Sequence, residues 1–185
     1  MQIIWTKLSM TVGAIDGTSH RIYRPEVEPQ ELYYLRLGHF HCLHTQFVSD
    51  AYGTIRYIAM NDGQHFRLMR QLGTDLIFLE ELCLLADKIF SKRTPVLTSY
   101  TSTQLARRSL VERRTYRKFN SLIRKYRIRV EHAIADLKTY KYAGLLWRHP
   151  MDMLSSTVCA SLVCRRSHRS YFMKINVNLL TAQIP

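Results

Sequence analysis

Cysteine is scarce and unpaired in this chain of 185 residues. Cys42, Cys83, Cys159 and Cys164 are widely scattered, mostly inside apolar runs, and no Cys-x-x-Cys spacing occurs. They read as reduced core residues rather than a disulfide frame or a metal knuckle. Long hydrophobic runs are missing too. No basic segment followed by an apolar block opens the sequence, and the run from Leu154 to Val163 is short and broken by serines and a threonine. Neither a signal peptide nor a membrane span is expected, which leaves a nuclear or cytosolic setting. Internal repeats and low-complexity segments are likewise wanting. The remaining deficit is of one charge: 14 Asp and Glu face 27 Lys and Arg, a net +13.

What is present suffices for one folded domain. Hydrophobic residues make up 46% and charged residues 22%, close to the average of globular proteins, and the length allows a real core. The basic excess is concentrated: residues 101 to 150 hold 13 Lys and Arg against Glu112, Glu131 and Asp136. Such a patch suits a polyanion such as nucleic acid, although a solvated surface is the commoner fate of charge runs. Tyr116, Tyr126, Tyr140 and Tyr142 are interleaved with it, placed to stack on bases or, for Tyr126, to join the core.

The first stretch that promises chemistry is Val12-Gly13-Ala14-Ile15-Asp16-Gly17-Thr18, read as a short buried strand that ends on a carboxylate. Alone, Asp16-Gly17 is a turn dipeptide. Residues 19 to 36 carry two prolines without a steady period and read as a long loop. Phe40 to Val48 and Thr54 to Met60 are rich in aromatic and β-branched residues and form a hairpin through Ser49 to Gly53. Asp50 and Asp62 stand near glycines and read as turn residues. His65 to Leu72 is compatible with a short helix, and the apolar stretch Leu76 to Leu85 leads into a buried strand from about Cys83 that ends at Ala86-Asp87. Ser91 to Thr98 reads as a loop.

From Ser102 the period becomes helical. Phe119, Leu122, Ile123, Tyr126, Val130, Ile134 and Leu137 form one apolar stripe at spacings of three and four, with Glu131, Arg127 and Lys138 on its shoulder. On helix statistics Arg127 and Glu131 are an exposed i, i+4 ion pair. His39, His41 and His44 share a strand, where a zinc site is conceivable, but without a matching cysteine or carboxylate cluster they read as exposed strand histidines.

Three carboxylates thus occupy matching places: Asp16 and Asp87 close strands, and Glu131 borders the core on a late helix. They are separated by 71 and 44 residues, room enough for the intervening hairpin and loop. Converging carboxylates repel unless divalent cations sit between them, and hard oxygens suit Mg²⁺ or Mn²⁺. Two such ions about 4 Å apart can activate water and stabilise the leaving 3′ oxygen of a phosphodiester.

The segment from Val12 to Ile22, the hairpin with Asp50-Ala51-Tyr52-Gly53, Ala86-Asp87-Lys88, and Tyr126 to Lys138 resemble, in that order, the catalytic domain of PIF/Harbinger-like transposases, which are DDE superfamily endonucleases. The resemblance covers roughly residues 10 to 166. It implies an α/β, RNase H-like fold with a mixed central sheet flanked by helices. Residues 1–166 would form the nuclease domain and 167–185 an unassigned tail, and the helix-turn-helix region that normally precedes the domain is not found in this sequence. Asp16 would bridge two metal ions, with Asp87 on one and Glu131 on the other. DNA is the implied substrate and a separate DNA-binding protein an implied partner. Two functions stay open: a metal-dependent DNA endonuclease of the transposase type, or a catalytically silent module, domesticated or truncated, that binds DNA or protein.

Overall fold

The computed structural model describes residues 8, 10–26, 29–36, 38–62, 82–90 and 96–166. The chain is mixed α/β, as expected. Strand β1 (Thr11–Arg21) is followed by a short helix α1 (Gln30–Tyr33), β2 (Tyr34–Leu35), β3 (Phe40–Ser49), β4 (Ile55–Asp62), β5 (Cys83–Ala86) and β6 (Val96–Thr98). Helices α2 (Ser102–Ala106), α3 (Leu110–Lys138), α4 (Lys141–Gly144) and α5 (Asp152–Arg166) complete it. The strands form one sheet in the order β2-β3-β1-β5-β6, with β4 also on β3; the β1–β3, β2–β3 and β3–β4 pairs are antiparallel, and β5 is parallel to both β1 and β6.

Strand alternation sends Ala14 of β1 to the face covered by α3 and α5, and Ile22, just past the end of the strand, joins it. There they pack with Leu43, Phe47 and Ile58 from the sheet and Ile123, Val130, Ile134, Leu137, Leu154 and Val158 from the helices. The other face groups Ile15, Val48, Leu84, Ala86, Phe90 and Val96. The helical stripe read from sequence is the stripe that packs: Ile123, Val130, Ile134 and Leu137 are buried, with Phe119 and Tyr126 partly so.

The hairpin forms as read. Asp50 Oδ1 accepts from the N–H groups of Tyr52 and Thr54, and Gly53 takes a positive φ of 79°, so Asp50 does serve the turn. Several expectations need correction. β1 does not stop at Asp16 but runs five residues further, because β3 offers it backbone partners as far as Arg21 opposite Cys42; Gly17 is a strand residue opposite Gln46, not a turn. Residues 19–36 are therefore not one loop, and they also contain α1 and β2. Val96–Thr98 is likewise a strand, parallel to β5. The late helix comes in two pieces. Thr101 with Gln104, and Ser109 with Glu112, make complete capping boxes that start α2 and α3 separately. His44 is buried rather than exposed, held by Ser19 Oγ at 3.0 Å. The expected helix at 65–72 and most of the apolar stretch 76–85 fall outside the described residues.

Candidate active site

Two strands and one helix bring the three predicted carboxylates to a common place. Parallel pairing of β1 with β5 ends at Ala14 opposite Leu85. Two residues further along the chain from this last pair stand Asp16, still within β1, and Asp87, just past the end of β5. Close approach upstream sets this register: a Cβ on Gly13 would meet Ser49 O at 2.7 Å, so only glycine fits where the pairing shifts. Asp87 follows the last residue of β5, as the apolar run predicted. Asp16 lies in mid-strand, on the face turned to α3.

The element sequence reading undervalued is Arg127. Its Nη2 lies 3.4 Å from Asp16 Oδ2 and 3.4 Å from Glu131 Oε1, and its Nη1 lies 3.5 Å from Asp87 Oδ1. The i, i+4 pair with Glu131 exists, but it is one of three ion pairs, and the Arg127 side chain is only 13% exposed, against 23% for Asp16, 41% for Asp87 and 49% for Glu131. Its Nε is buried with no acceptor among the described residues. The available signal was its place on the shoulder of the stripe beside Glu131, one turn earlier; what faces that shoulder is invisible to a helical wheel.

Burial raises the pKa of Asp16 above its ordinary value of 3.8. The Gly17 N–H, which donates to Oδ1 at 2.9 Å, and the Arg127 guanidinium oppose this, while the Glu131 and Asp87 charges add to it. Further along the same face His20 is buried, and its Nδ1 must donate to Ala143 O at 3.1 Å because a carbonyl can only accept. Loss of hydration holds its pKa down at about 4, so it stays neutral at physiological pH.

Beyond the end of β5 the other edge of β1 opens on a cleft of about 520 Å³, lined by Gly17, Thr18, Ser19, Arg21, Phe40, Lys138, Ala143 and Gly144. Past the cleft the chain returns to the strand: Trp147 N donates to Arg21 O at 2.8 Å, and Tyr23 N to Trp147 O at 3.1 Å. Two cationic side chains, Arg21 and Lys138, border this cleft, which begins at Gly17, the residue after Asp16. Arg21 belongs to a segment read as loop, which hid it.

Three carboxylates make a hard-oxygen donor set of the kind that holds Mg²⁺ or Mn²⁺, and they already surround one cation, so the chemistry of the donors fits a divalent ion. As placed, no group of three His, Cys, Asp or Glu among the described residues is gathered closely enough to hold a metal. The guanidinium is what the acids enclose.

A mixed α/β sheet thus carries an acidic cluster where the parallel pairing of β1 with β5 ends, gathered on one guanidinium of the packed helix. The family comparison is specific: the model for DDE superfamily endonucleases matches residues 15–164, and the chain belongs to that family. Asp16, Asp87 and Glu131 all lie within the match. Membership suggests a transposase-type nuclease domain acting on DNA, in a superfamily that generally uses divalent metals. Neither the curated proteins nor the solved structures compared with the chain gave a match. No helix among the described residues is long and apolar enough to cross a membrane.

Proposed function

We propose that the chain is a divalent-metal-dependent DNA endonuclease of the PIF/Harbinger transposase type, in which residues 1–166 form an RNase H-like nuclease domain. The observation that carries this reading is the convergence of Asp16, Asp87 and Glu131 on one guanidinium, within the span matched by the endonuclease family. Asp16, the most buried of the three, would hold Mg²⁺ or Mn²⁺ together with Asp87 and Glu131. Bound there, the ions supply Lewis acidity and a nucleophilic water at neutral pH. The protein holds three ionised carboxylates in register, and it lines the approach with Arg21, Lys138 and the exposed cations of α3, which would follow the DNA backbone. Nuclear localisation and a separate DNA-binding partner belong to the same proposal.

The second reading, a silent DNA-binding or protein-interaction module, has one observation in its favour: a cation, the Arg127 guanidinium, already occupies the centre of the three acids. Nicking of supercoiled plasmid in Mn²⁺, Mg²⁺ or EDTA separates the two. The endonuclease requires metal-dependent nicking that Asp16→Ala, Asp87→Ala and Glu131→Ala each abolish. A folded chain that binds plasmid without nicking it in either metal leaves the silent module.

A further inference from the structure

A largely enclosed arginine among three acids is an unusual tenant for a metal site. Three carboxylates from β1, the end of β5 and α3 lie within 3.5 Å of its two terminal nitrogens. With Asp16 ionised, three carboxylates and one guanidinium leave the group at a formal −2 inside a protein of net charge +13. The acids are thus under-neutralised even with Arg127 in place. Arg127 is itself imperfectly housed, because its Nε–H is buried without an acceptor among the described residues. A buried donor left unpaired is costly, so the side chain holds this pose for the charge interactions at its tip rather than for its packing.

We propose that Arg127 is an internal counter-ion: it holds the three carboxylates together while no metal is bound, and its guanidinium must withdraw for a divalent ion to enter. This rests on the metal-nuclease reading above. A guanidinium and a metal ion neutralise the same oxygens, and two cations cannot share them without repulsion, so the ion pairs of Arg127 and metal loading exclude one another. Two opposite consequences follow for a variant without the charge. Its metal-free form loses the cation that offsets carboxylate repulsion, and its metal-bound form no longer bears the cost of expelling one. A merely structural arginine would show the first effect without the second.

The test compares Mn²⁺ binding by the full chain and by Arg127→Met, using calorimetry, with thermal melts in EDTA and in Mn²⁺ and with plasmid nicking on the same preparations. The variant is expected to bind Mn²⁺ about tenfold tighter or more, to melt lower than the wild type in EDTA, and to gain more from Mn²⁺. Equal or weaker Mn²⁺ binding by a folded Arg127→Met protein overturns the counter-ion role; if the wild type still nicks DNA, the nuclease reading survives that failure. Tighter binding without nicking by either protein supports the counter-ion and sinks the nuclease. Mn²⁺ binding by neither protein overturns both. Should Arg127→Met not fold, the wild type itself decides. The side-chain ¹⁵N signal of Arg127, assigned by its loss in Arg127→Lys, must move as Mg²⁺ is added, and a signal unchanged up to millimolar Mg²⁺ overturns the proposal.

Discussion

The two halves of α3 are one continuous helix governed by different physics. At 29 residues it is about 43 Å long. Its first part, residues 110–122, contains no fully buried residue: Leu110 and Val111 are 74% and 75% exposed, and Arg114, Arg117 and Lys118 face solvent. That part is held by its capped start and by a few contacts with Tyr100, whose backbone bonds Asn120 and whose ring meets Tyr116 and Phe119. The Ser109–Glu112 capping box starts it, and Arg113 donates back to Arg108 O and Ala106 O, tying it to α2. The second half is held by packing, through Ile123, Val130, Ala133, Ile134 and Leu137, and it carries Arg127 and Glu131 to the strand aspartates. Local capping suffices for a helix that only presents charge, whereas a helix that must place a side chain to within an ångström needs a core beneath it.

Glutamates on the two halves give the sharpest way to break this comparison. Under the proposed function Glu131→Ala lowers the rate of metal-dependent nicking by about a hundredfold or more, since even the outer partners of metal ligands are worth ten to a hundredfold. Glu112→Ala, on the same helix, leaves nicking unchanged. An equal loss in both would mean that the helix acts as one unit and that Glu131 has no special place. The next effect is on stability. Leu137 is 1% exposed, and Leu137→Ala is expected to cost about 3 kcal/mol, a drop of roughly 10 °C in melting temperature. Leu110→Ala in the first half should stay within about 0.5 kcal/mol. Replacing Arg114, Arg117 and Lys118 together with alanine should leave the melt in place. It should weaken plasmid binding and lower the slope of log K against log salt by about one for each phosphate that is no longer neutralised. A melt that fell as far as that of Leu137→Ala would show that the first half is packed after all.

The sequence made part of this legible, and the line follows the range of the forces involved. Short-range pattern placed the hairpin, the stripe of α3, and Asp87 at the end of an apolar run, because alternation and helical period record which face is buried. Asp16 was assigned the right neighbours but the wrong position along its strand. Asp-Gly favours a turn locally, and only the eight consecutive partners that β3 supplies, from Ala14 to Arg21, keep the chain extended past it. The break between α2 and α3 was readable, since Thr101-x-x-Gln104 and Ser109-x-x-Glu112 are capping signatures. The part of Arg127 was not. Two of its three acidic partners lie 40 and 111 residues away, and no helical projection shows what an opposing strand brings to that shoulder. An element as short as α4 leaves no period to read, so the wall of the cleft that Ala143 and Gly144 form was hidden with it.

The smallest expected effect is also the most diagnostic, because the two regions should respond to acid with opposite signs. Glu112, in the capping box, has its pKa held below its ordinary 4.5, chiefly by the hydrogen bonds from Ser109. The native state therefore binds this proton more weakly than the unfolded chain. Its contribution to stability is present above pH 4.5 and is lost as the pH falls through the lowered value. Asp16 sits under α3's packed half with its pKa raised above 3.8, first by burial and then by the charges of Glu131 and Asp87, against the Gly17 N–H and Arg127. Here the native state binds the proton more tightly, so ionised Asp16 costs stability at neutral pH. That cost disappears as the pH falls through the raised value toward 3.8. In EDTA, Asp16→Asn should accordingly melt at or above the wild type at pH 7, and the gap should close by about pH 3.8. Glu112→Gln should melt below the wild type at pH 7, and that gap should close only at pH values below 4.5. Melting curves of the three proteins from pH 3 to pH 7 decide the matter. An Asp16→Asn protein that melts below the wild type at neutral pH would mean that the attraction of Arg127 outweighs burial. The acid cluster would then be a source of stability rather than a cost borne for the site.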